Sequence, residues 1–131
     1  MADEPHWLTF EEVVETNVEQ IERFGGLHGI KDENIIRSAI DNPKNSFHYG
    51  GEDDLLVLAV HLCMAIVRNH GFNDGNKRTG AVSLTAFLIV NGYDLRMPDD
   101  TLLGRMMEAV LTRDMTEEEF VEHLDHYVIE L

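Results

Sequence analysis

Residues 69–80 read NHGFNDGNKRTG, three asparagines, three glycines, one histidine, one aspartate and an adjacent Lys-Arg pair between two apolar segments. The segment before it, LLVLAVHLCMAIV at 55–67, and the one after it, GAVSLTAFLIV at 80–90, are apolar on nearly every side. That pattern belongs to helices buried by neighbours rather than to half-exposed strands. The stretch is therefore a polar loop between two central helices, from Asp54 to about Asn69 and from about Asp74–Thr79 to Val90.

Outward from this pair the chain keeps the same grammar. Thr9-Phe-Glu-Glu is a capping box, and Val13, Val14, Val18, Ile21 and Phe24 keep helical spacing up to Gly25-Gly26, which predicts a helix over 10–24. Asp32 is a good N-cap for a short helix, ENIIRSAID, expected to end before Pro43. Residues 44–53, KNSFHYGGED, read as a loop or small hairpin. Beyond Asn91-Gly92, Asp99 and Asp100 open an amphipathic segment to about Leu111, and Thr116-Glu-Glu-Glu starts a final helix running to the C-terminus. The expected fold is all-α, one domain over 1–131, with at most a short hairpin near 44–53 or 92–97.

With 131 residues and 44% hydrophobic content, a core forms without disulfides, and the lone Cys63 excludes an intrachain disulfide framework. A formal charge of −15 disfavours binding to a nucleic-acid backbone. Apolar runs break well before the ~18 residues of a membrane span, and no leader pattern opens the chain, so a soluble, cytoplasmic protein is expected.

Against that acidity the Lys77-Arg78 pair needs a reason. The first N–H groups of a helix lack internal partners, and with the positive end of the dipole they make an anion site. Gly75 lets backbone approach a ligand closely, while Lys77 supplies a point charge and Arg78 a fork suited to phosphate. Asp74 is a hard oxygen ligand of the kind that shares Mg²⁺ with phosphates and water. An imidazole ordinarily titrates at about pH 6.5, which makes histidine the residue type suited to accept a proton near neutral pH, and His70 is the one at this loop. Phe72 reads as an apolar pin tucking the loop into the core. His28, His48 and His61 read as structural, and His123 and His126 as surface.

The nine residues His70-Gly71-Phe72-Asn73-Asp74-Gly75-Asn76-Lys77-Arg78 resemble the signature loop of the Fic/Doc family, roughly His-x-Phe-x-Asp/Glu-Gly/Ala-Asn-Gly/Lys-Arg. RFGGLHGIKD, SAIDNP and NGYDL resemble the Doc (death-on-curing) branch, so the likeness covers about residues 9–95. AMP-transferring relatives carry glycine where this chain has Lys77 and a further arginine where it has Ala81; both differences point to Doc. Gly71 departs from the proline or branched residue often found there.

The resemblance implies a helical Fic/Doc-like domain and a toxin of a toxin–antitoxin pair. It implies transfer of the γ-phosphate of ATP, with Mg²⁺, to a Ser/Thr hydroxyl of a target protein, a translation elongation factor being the expected class. His70 would be the base and Asp74 the metal ligand. Asn76, Lys77 and Arg78, with the backbone at Gly75, would hold the phosphates. The segment 44–53 would be a flap that docks the target by strand addition. The chain has no internal Ser/Thr-x-x-x-Glu-Gly/Asn restraint motif, so restraint would come from a separate antitoxin chain. The alternatives are an AMP transferase, a non-catalytic binding module of the same fold, and metal-dependent hydrolysis through His61, His70 and Asp74.

Overall fold

The computed structural model describes residues 3–131. Six helices follow one another among them: α1 (Phe10–Phe24), α2 (Glu33–His48), α3 (Leu55–Asn69), α4 (Asn76–Val90), α5 (Leu102–Leu111) and α6 (Glu117–Asp125). A two-stranded antiparallel sheet pairs β1 (Tyr93–Leu95) with β2 (Val128–Glu130), Tyr93 opposite Glu130 and Leu95 opposite Val128. The fold is all-α but for this small clasp, whose first strand alone lies within the second of the two expected β places. Its partner strand comes from the chain terminus, so it is no hairpin, and the last residues are strand where a continued helix was expected.

Helix starts follow local chemistry. Thr9 and Thr116 form capping boxes with Glu12 and Glu119, and the carboxylates of Asp32 and Asp54 accept from two backbone N–H groups each. Asp99 covers the start of α5, accepting from the N–H of Thr101 and of Leu102.

α3 is the central element, buried from Leu56 to Val67 except at the half-buried Val57 and His61, with α2 and α4 packed against it. Phe72, Leu84, Phe87, Met107, Phe120 and Leu124 complete the core. Burial pushes the Cys63 thiol up to about 12, so it packs as an inert apolar group.

Two expectations fail for one reason, tertiary packing. α2 does not stop before Pro43 but runs through it to His48. A mid-helix proline costs about 3 kcal/mol, and here Pro43 is itself buried while Phe47, one turn on, packs edge-to-face on Trp7 at 5.9 Å. The expected loop or hairpin at 44–53 thus becomes the end of α2 and a short turn, with no strand for a flap. In α1, Val18 and Phe24 are exposed while Asn17 and Gln20 turn inward. No helix is long and apolar enough to cross a membrane among the described residues.

Candidate active site

α3 ends by forcing His70 into the left-handed region, φ 50° and ψ 48°, a conformation that costs a side-chain-bearing residue about 1–2 kcal/mol. The loop after it is fastened to the segment that precedes α2. Gly71 O accepts from the N–H groups of Lys31 (2.8 Å) and Asp32 (3.0 Å), and Phe72 bridges Ile30. Asn73 donates from its backbone to Gly29 O (3.0 Å) and from its side chain to His28 O (3.1 Å). Phe72 drops into the core at 2% exposure, the pin expected from sequence.

This zipper accounts for Gly71. A Cβ there would lie 2.5 Å from Cγ1 of Ile36 and 3.3 Å from its backbone nitrogen, so a larger residue would push α2 away from the loop. Gly75, the α4 N-cap, has φ 75° and sits where a Cβ would meet Ile21 Cδ1 at 3.0 Å. Glycine is needed twice, once for space and once chiefly for conformation.

The structure divides the six site residues predicted from sequence into distinct positions. His70 stands exposed at the loop entrance and makes no hydrogen bond among the described residues. Asp74, at the far end, accepts at Oδ2 from the Leu27 N–H at 2.7 Å. Its Oδ1 carries no hydrogen bond among the described residues. Gly75 begins α4 with no side-chain cap, so the first-turn N–H groups have no side-chain acceptor. Lys77 leans toward α5 and pairs with Glu108. Arg78 leans the other way, donating from Nη2 to Gly25 O (3.0 Å) with its guanidinium 5.4 Å from the Phe24 ring centre, and its Nε is buried without a partner. Asn76 is used inside the loop: its side chain accepts from Phe72 N (3.1 Å) and donates to Phe72 O (3.0 Å). Its amide therefore holds the loop rather than reaching outward.

Three contributors were missed in the sequence. Asn17, 2% exposed, donates to Asp74 O (2.9 Å) and to Thr79 Oγ1 (3.1 Å), fixing the turn from beneath. A polar residue one turn after Val13 on the inward face was the available signal. Glu108 and Glu117 come from the C-terminal helices, Glu117 pairing with Arg68, two residues before His70. Only the fold brings them there, and no local pattern announces it. Arg68 and Asn69 also line an open cavity of about 430 Å³ with Asn42, Ser46, His61 and Glu117. His61 binds Ser46 Oγ through Nδ1 at 3.0 Å and stands nine residues before His70, about 13 Å along the helix. It does not join His70 and Asp74 in a metal set, and no group of three or more ligating side chains occurs among the described residues.

The Fic/DOC family model matches residues 7–88, from Trp7 through the whole of the loop and most of α4. The chain belongs to this family. It is 34% identical over 85 residues to "Protein kinase doc" of Escherichia phage P1, covering 65% of this chain and 68% of that protein. It is 33% identical over 94 residues to "Toxin Doc" of Mycolicibacterium smegmatis, covering 70% and 72%. Among Fic/DOC proteins the chain is thus similar to the Doc type, and the helices after β1 lie outside the family match.

Proposed function

We infer that this chain is a Doc-like toxin that moves the γ-phosphate of ATP to a Ser/Thr hydroxyl of a target protein. The observation that carries the reading is the start of α4. Its first N–H groups have no side-chain acceptor, Lys77 and Arg78 flank it on opposite sides, and an exposed histidine stands at the loop entrance. A polyphosphate supplies what that arrangement lacks, and phosphoryl transfer asks a protein mainly for positioning and charge neutralisation.

In the step itself, His70 takes the proton of the incoming hydroxyl as its oxygen bonds to the γ-phosphorus. The bond from that phosphorus to the bridging oxygen breaks, and ADP leaves with its electron pair. The free Oδ1 of Asp74 would hold a Mg²⁺ ion as a single protein ligand, in keeping with an ion that takes most of its ligands from phosphate and water. Such an ion, when bound, supplies positive charge that offsets the phosphates. Asn17 and Asn76 act indirectly by holding the loop.

Lys77 favours phosphate over AMP transfer, since it fills the place that is glycine in AMP-transferring relatives. Ala81, where those relatives have a second arginine, packs against the core. The name "Toxin Doc" supports a partner antitoxin, and the resemblance supports a translation elongation factor as target class. The deciding measurement compares ATP labelled at the γ or the α position, with wild-type protein and His70→Ala. Label from the γ position alone on a target protein, lost in His70→Ala, is expected; transfer of α label replaces the reading with AMP transfer.

A further inference from the structure

Phe24, the last residue of α1, is 61% exposed and contributes nothing to the core, yet two of the chain's seven arginines stand beside its ring. The Arg23 guanidinium carbon lies 5.8 Å from the ring centre and that of Arg78 lies 5.4 Å away. Arg78 belongs to the first turn of α4, so one side chain runs from the uncapped helix start to the ring, anchored on Gly25 O. A single exposed aromatic is ordinary. One flanked by two cations and joined to an anion site, on a chain of net charge −15, is not.

We propose that Phe24 is the nucleobase platform of this site. A base stacks on the exposed ring while its phosphates reach the start of α4, with Arg78 spanning the two and Arg23 adding charge at the edge. The proposal rests on the reading of α4 as a phosphate site and adds the residue that holds the other end of the nucleotide, its base. Exposed Leu27 and Ile30 continue the apolar surface beside Asp74, which would also suit a protein partner. The two cations decide for a nucleotide, because a guanidinium beside an aromatic ring serves both a stacked base and its phosphates. Stacking tolerates any base, so GTP should bind about as well as ATP.

The test is calorimetric titration of the full chain, with Mg²⁺, by ATP and by inorganic tripolyphosphate. ATP should bind tighter than tripolyphosphate by about tenfold or more. Phe24→Ala should erase that difference, leaving tripolyphosphate affinity and Tm unchanged, and Phe24→Trp should retain it. The proposal is overturned if Phe24→Ala leaves ATP affinity intact, whether or not antitoxin binding falls, or if it weakens both ligands equally. Binding of neither ligand by wild-type protein overturns the platform and the phosphate site together. A Phe24-dependent preference for ATP without γ-phosphate transfer supports the platform and rejects the phosphotransfer reading.

Discussion

α4 and α6 both begin after a polar turn, and their first turns are built with opposite sign. At α6, Thr116 Oγ1 accepts from the Glu119 N–H and the Glu119 carboxylate accepts from the Thr116 N–H, each at 3.0 Å, and three glutamates face the positive end of the dipole. At α4 a glycine stands in the cap position, no acidic residue follows, and the first turn carries Lys77 and Arg78. Cations at a helix N-terminus are unfavourable by about 0.3–1 kcal/mol each. The start of α6 is arranged for stability, whereas that of α4 gives stability up and leaves uncapped donors beside two cations, as the proposed phosphate site requires.

Breaking the α4 side of this contrast should have the largest effect. Lys77→Ala and Arg78→Ala should each lower γ-phosphate transfer by about a hundredfold or more, and Lys77→Ala should leave Tm nearly unchanged, since it also removes a cation from the dipole's positive end. Transfer rates near wild type in both variants would show that the uncapped start does not hold the reacting phosphates.

The complementary change, Thr116→Ala, should cost about 1 kcal/mol of stability in denaturant titration and leave transfer untouched. A drop in activity at equal folded fraction would mean that α6 reaches the site through Glu117 and Arg68. A smaller effect concerns Glu108, which already neutralises Lys77 in a half-exposed pair. Such pairs are worth at most about 1 kcal/mol, so Glu108→Gln should tighten tripolyphosphate binding a few-fold, most visibly at low salt.

The smallest effect is with acid. The Glu119 carboxyl is held below its ordinary 4.5, chiefly by the Thr116 N–H that it accepts and then by the Thr116 hydroxyl. A depressed carboxyl contributes stability above about pH 4.5 and loses it as pH falls through the folded value. Thermal melts from pH 7 to pH 3 should therefore fall less steeply for Glu119→Gln than for wild type, and parallel curves would remove this capping contribution.

Much of this was legible because it is local. Thr9, Asp32 and Thr116 cap the helices they were expected to cap, and α1 and α4 end where Gly25 and Asn91-Gly92 indicated. A cap bonds to donors two or three residues away, so sequence specifies it. The same logic misled at Pro43, because the proline's local penalty is real and only the burial of Pro43 and the seat of Phe47 on Trp7 outweigh it. In α1 the valine spacing pointed to one face, while Asn17 was drawn inward by acceptors 57 and 62 residues away.

The sequence by itself determined the helical architecture, the loop between two buried helices and the residues of its signature, since period, caps and composition act over a few residues. The tertiary structure alone decided how those residues divide the work. Asn76 turned inward to Phe72, Lys77 and Arg78 diverged toward Glu108 and Phe24, and Gly71 proved necessary because α2 lies against it. Those assignments depend on side chains meeting across elements far apart in the chain, and that proximity exists only once the core around α3 has formed.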